Sequence, residues 1–142
     1  MIMKKLYLGI FVVSVLTAPL VFSQAIGLRS GRNMDYVPEP RLISPVTQEV
    51  VLTGKEDLEF RWSPHEGRGS GLRKYYDFRI YKGYEMVEST RIYRKKTPGD
   101  KDRIDVSADL FENGQIYTWS LRLGYKGIGK STRSYQSFKT VK

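Results

Sequence analysis

The sequence predicts an all-β protein: an antiparallel sandwich of two sheets and about seven strands. Three observations carry this expectation. Large apolar side chains fall on every second position in several short segments. Gly-, Pro- and Asn-containing turns separate those segments. No window holds apolar residues at the 3.6-residue spacing of a helix.

Residues 1–25 stand apart from the rest. Lys4 and Lys5 precede an apolar run from Leu6 to Leu16, and Ser23 and Ala25 offer the small-x-small pattern that a signal peptidase accepts. The stretch from Leu6 to Phe22 is 17 residues long, at the short end of the ~17–25 needed to span a bilayer. A cleaved signal peptide is therefore favoured over a retained anchor, and the protein is expected to be exported, to a periplasm or the exterior. Membrane attachment is expected only if this segment stays uncleaved. Residues 26–40, "IGLRSGRNMDYVPEP", carry two glycines and two prolines and read as a flexible leader. The domain is placed at residues 41–142.

Within the domain, "RLISPV" and "EVVLT" are short β-prone pieces, and Pro45 suits an edge strand that lacks a neighbour on its N–H side. "DLEFRW" puts Leu58, Phe60 and Trp62 on one face. "SPHEGRGSG" is a loop by composition. "YYDFRIY" puts Tyr76, Phe78 and Ile80 on one face and Tyr75, Asp77, Arg79 and Tyr81 on the other. "STRIYRK" is a weaker strand and "KTPGDK" a turn. "RIDVSA" directs Ile104 and Val106 inward. Asn113-Gly114 turns the chain into the longest strand, where Tyr117, Trp119, Leu121 and Leu123 point inward and Thr118, Ser120 and Arg122 point to water. "KGIGK" is a further turn, and "STRSYQSFKTV" closes the domain.

The four segments "LEFRW", "YYDFRIY", "DLFENGQIYTWSL" and "SYQSFKT" resemble, in order and spacing, those of a fibronectin type III domain of the bacterial exported type. The resemblance covers residues 38–142. It implies that Trp62 is the core tryptophan of the second strand and that Phe138 points inward from the last. It also implies that Tyr117 packs its ring inward while its hydroxyl bonds backbone a few residues upstream. The family often has Pro in the turn before that Tyr, where this chain has "FENG", so an immunoglobulin-like or carbohydrate-binding sandwich stays open.

The charge balance narrows the partner. The chain carries 24 Lys and Arg against 15 Asp and Glu, a net of +9. Removal of residues 1–25 takes Lys4 and Lys5 and no acid, which leaves +7. Such a balance favours acidic surfaces. With no cysteine, disulfides, thiol catalysis, cysteine metal sites and a lipid anchor on cysteine are all excluded. With one histidine, His65, and no accompanying serine motif, a hydrolytic triad is disfavoured. Asp100, Asp102 and Asp105 alternate with Lys101 and Arg103, which would repel a calcium ion. "GRGSG" is not followed by a helix and so lacks what a phosphate cradle requires. The expectation is a protein that is not an enzyme and uses no cofactor or metal.

The candidate binding residues are basic and aromatic. Arg79 and Tyr81 point outward from the third strand, Arg122 from the long strand, and Arg133 lies on the last. In the resembled fold these strands are neighbours in one sheet, with Tyr84, Arg91, Tyr93, Arg94, Lys95 and Lys96 along or near its edge. Guanidinium groups pair with carboxylates, and tyrosine faces stack on sugars. The expected partner is another envelope or extracellular protein; the alternative is an acidic polysaccharide held on this face. Nucleic acid is disfavoured, because no recognition helix or aromatic platform accompanies the charge.

Overall fold

The computed structural model describes residues 36–66 and 73–142. The expected signal peptide at 1–25, most of the expected leader and the glycine-rich stretch at 67–72 lie outside the described residues. Among the described residues nine strands follow one another: β1 Arg41–Ser44, β2 Glu49–Val51, β3 Asp57–Ser63, β4 Lys74–Lys82, β5 Arg91–Pro98, β6 Arg103–Ser107, β7 Ile116–Tyr125, β8 Gly129–Lys130 and β9 Ser134–Val141. Two 3-10 turns, Glu88–Thr90 and Ala108–Leu110, connect them.

The strands form two sheets. The smaller has the order β1-β3-β6 and is antiparallel throughout. The larger has the order β2-β9-β7-β4-β5, with β8 hung on β7. Its pairs are antiparallel except β2–β9, which is parallel.

Alternation explains how the two sheets close on each other. Phe60 and Trp62 of β3 face Tyr76, Phe78 and Ile80 of β4, Trp119, Leu121 and Leu123 of β7, and Phe138 of β9, all buried in one cluster. The Phe60 ring meets Phe78 at 5.0 Å and Trp119 at 5.2 Å, both edge to face, a geometry favoured by the ring quadrupoles. Trp62 packs on Tyr76 at 5.2 Å. The longest strand, β7, lies between β4 and β9 and has Gly114 at φ +73° in the turn before it. Few side chains tolerate that backbone conformation, whereas glycine adopts it without cost.

Three local expectations are corrected. Pro45 is buried between β1 and β2 and is not part of an edge strand; its carbonyl accepts the Trp119 indole N–H at 2.9 Å. The segment "KTP" belongs to β5, so the turn begins only at Gly99. Pro98 is tolerated there because β5 is the edge of its sheet and one side needs no N–H. Thr118 and Ser120 do point away from the core, yet both are fully buried. Thr118 Oγ donates to the Gly83 carbonyl at 2.7 Å and shares a bond with Ser137 Oγ, while the Arg133 guanidinium lies against Ser120 Oγ.

Candidate functional site

The outer face of the larger sheet gathers charge from β4, β5 and β7 and from Arg133 just before β9. Residues opposite each other in a sheet project to the same side. Register therefore places Asp77 and Arg79 of β4 beside Arg122 and Ser120 of β7, with Lys96 and Arg94 of β5 on one flank and Tyr135 of β9 on the other.

Asp77 is the hub. Its side chain is only 2% exposed, and four guanidinium groups converge on it. Arg79 Nη2 lies 2.8 Å from Oδ2, Arg133 Nη2 2.5 Å from Oδ2, Arg94 Nε 3.2 Å from Oδ1 and Arg122 Nη2 3.6 Å from Oδ2. Arg133 also donates through Nη1 to the Asp77 carbonyl at 3.1 Å. Burial alone would raise the Asp77 pKa. The hydrogen bond from Arg79 and the charges of Arg133, Arg79 and Arg94 outweigh burial and hold it below the ordinary carboxylate value. Burial, with the neighbouring charges of Arg79 and Arg122, lowers Arg133 against the pull of Asp77. An arginine stays protonated at any physiological pH nonetheless.

One carboxylate facing four guanidiniums leaves an excess of three positive charges. Arg79 and Arg133 are largely covered, whereas Arg94 presents the most surface at 41% exposed. Tyr135, opposite Ser120, is 61% exposed and extends the same face. Such a surface can pair with carboxylates or other oxyanions. Among the described residues, no three His, Asp or Glu side chains gather to hold a metal ion.

The five residues singled out from the sequence fare differently. Arg79, Arg122 and Arg133 come together around Asp77. Arg133 does so from the segment just before β9, not from the strand itself. Tyr81 is on the outer side but only 2% exposed, with its hydroxyl near Arg79 Nη1 at 3.5 Å, so its ring is not available for stacking. Tyr93 sits opposite Ile80 and turns to the core side, where its ring meets Phe78 edge-on at 5.8 Å. Both tyrosines thus pack within the fold. Alternation alone makes Asp77 one more outward residue of β4. The signal that could have marked it is its position as the lone acid on that face of β4, beside Tyr75, Arg79 and Tyr81.

His65 is half-buried in the loop after β3. Its backbone N–H donates to the Tyr76 hydroxyl at 3.0 Å and its carbonyl accepts from Lys74 Nζ at 2.6 Å. It therefore serves to anchor the loop through its main chain. At the far end of β7, the Tyr117 ring is buried against Phe111 and its hydroxyl accepts the Glu112 N–H at 2.8 Å.

Fold and face together define a small all-β sandwich whose larger sheet carries a cationic outer surface. Compared with known protein families the chain matches none, and no curated protein shows significant similarity to it.

Proposed function

We propose that the chain is a fibronectin type III-like module, exported to the bacterial envelope or exterior, that makes a non-catalytic contact with an acidic partner protein. The family assignment is supported by a three-stranded sheet packed on a larger one, by Trp62 against Tyr76, and by the Tyr117 hydroxyl bonded to backbone five residues upstream. Export is supported by the charged start, apolar run and small-residue end of residues 1–25.

The observation that carries the binding role is the excess of arginine around Asp77, flanked by the exposed Tyr135. Arg and Tyr are the residue types that supply most binding energy at protein interfaces. A partner carboxylate would reach Arg94 first, since it is the most open of the four. An acidic polysaccharide is the less supported occupant of this face, because Tyr81 and Tyr93 do not present their rings there.

The test is affinity purification of the tagged chain from its native envelope, in parallel with an Arg94→Glu/Tyr135→Ala variant. A partner retained by the native chain, eluted by salt and reduced about tenfold with the variant is expected. Equal retention by a variant with an unchanged melting temperature would refute the assignment of this face.

A further inference from the structure

A second basic feature lies away from Asp77, at the end of the larger sheet where β4 begins and β7 ends. A cleft of about 610 Å³ opens there between the start of β4, the end of β5 and the β7–β8 turn. Its volume falls within the ~300–1,000 Å³ of small-ligand sites. Arg73, Lys74, Lys96, Lys126 and Lys130 line it, and among the described residues no Asp or Glu does. None of the five forms an ion pair with a carboxylate among the described residues. Lys96 stands opposite Asp77 in register, but the oxygens of Asp77 are occupied by the four arginines. The cleft therefore holds its full positive charge, whereas the face around Asp77 is partly neutralised.

The walls are fixed in place. The Lys126 N–H donates to the Arg73 carbonyl at 3.0 Å, tying the β7–β8 turn to the entry of β4. The Gly99 N–H donates to the Lys74 carbonyl at 3.0 Å, tying in the end of β5. Two glycines permit the close fit. A Cβ on Gly99 would lie 1.9 Å from Lys74 Cγ, and a Cβ on Gly124 would lie 2.4 Å from Tyr75 Cζ. The Tyr75 ring covers Gly124, with Lys96 Nζ 5.4 Å from its centroid. The exposed Ile128 adds aliphatic surface at the rim.

We propose that this cleft binds an acidic polysaccharide, with the lysines meeting its carboxylate or sulfate groups and with Tyr75 and Ile128 lining its path. Lysine suits this task because its ammonium is a mobile point charge that follows an irregular chain. A saccharide chain is favoured over a lipid surface by shape. A bilayer meets protruding apolar side chains, whereas these cations line a recess and Ile128 alone offers an aliphatic tip. The cleft adjoins the arginine face at Lys96, but Lys126 and Lys130, which test it, are not among the residues that test that face, so either assignment can fail without the other.

The experiment titrates the purified chain with dextran sulfate at physiological ionic strength, with neutral dextran and anionic phospholipid vesicles in parallel. Two variants are compared: Lys126→Glu/Lys130→Glu in the cleft, and Lys55→Glu/Lys142→Glu elsewhere, with the same change in net charge. Expected are binding to dextran sulfate alone, a loss of about tenfold or more for the cleft variant and little change for the control. A uronate polymer then tells carboxylate from sulfate as the preferred group. Equal losses in both variants would reduce the interaction to overall charge and overturn the proposal. So would the absence of binding, or binding to vesicles without binding to the sulfated chain.

Discussion

Asp77→Asn isolates the charge at the centre of the arginine face while keeping shape and burial. In the native chain the carboxylate compensates Arg79 and Arg133, whose side chains are 18% and 15% exposed. Removing one partner of a buried pair costs about 3–5 kcal/mol when the charge left behind is fully buried. The arginines here retain some water and an amide can still accept one hydrogen bond, so the loss should lie at the lower end, about 2–3 kcal/mol. For a domain of this size each kcal/mol corresponds to ~4–8 °C, which gives a fall in Tm of about 10–20 °C at pH 7. Thermal denaturation followed by circular dichroism measures it directly. The pH dependence supplies an internal check. Because the folded state holds the Asp77 pKa below the ordinary 3.8, its stabilising contribution is complete above that value. It is lost as the pH falls through the depressed value. The gap between native and variant should therefore close in acid. A variant that melts within about 2 °C of the native chain at pH 7, or a gap that persists undiminished in strong acid, would show that the four arginines do not depend on this carboxylate.

Two further substitutions probe the frame that positions the surfaces. Tyr117→Phe should cost about 1–3 kcal/mol, because the Glu112 N–H loses its acceptor while the ring remains packed; urea denaturation with an unchanged m value checks it. Gly124→Ala should destabilise by about 1–3 kcal/mol, since the added methyl group occupies the place of the Tyr75 ring. The sign is informative, because alanine in a strand interior otherwise stabilises relative to glycine, and a more stable variant would mean that Tyr75 moves aside freely.

The strand framework was legible because the pleat imposes a period of two on any strand with one buried face. Leu58, Phe60 and Trp62, or Tyr117 through Leu123, could serve as little else than the inner surface of a sandwich. What lies over the outer surface was not legible in the same way. Thr118 and Ser120 belong to the outer side as their positions require, but both are buried, Thr118 bonded to the Gly83 carbonyl and Ser137, and Ser120 to Arg133, partners that arrive from elsewhere in the chain. Arg133 reaches Asp77 across 56 positions of sequence, and periodicity carries no information about the destination of a long side chain. Tyr93 illustrates a related limit. In a short edge strand with mixed composition, "STRIYRK" leaves the parity open, and only pairing of Tyr93 with Ile80 assigns its ring to the core side. The cleft was missed for a third reason. Lys74, Lys96 and Lys126 belong to three segments that each read as an ordinary polar strand end or turn, and it is the pairing of β4 with β5 and β7, closed by the hydrogen bonds from Lys126 to Arg73 and from Gly99 to Lys74, that brings them together.

Net charge conceals this division of labour. The same basic excess is used in two electrostatic states on one sheet. Around Asp77, guanidiniums share a buried carboxylate, and their mutual repulsion is partly relieved within the fold. At the strand end, five cations line a recess with no acid among them, so their repulsion is relieved only by solvent, salt or a bound anion. Buried pairs are screened weakly by salt, and open charges strongly. Raising ionic strength should consequently stabilise the strand end by shielding like charges while leaving the Asp77 cluster nearly unchanged. A polyanion in the cleft should stabilise the chain in the same sense, and more so at low salt. Thermal melts of the native chain and of Lys126→Glu/Lys130→Glu across a salt series test the link: the variant, with its repulsion already reduced, should gain less from added salt. An identical salt response in the two would mean that the cleft cations are too far apart to repel one another.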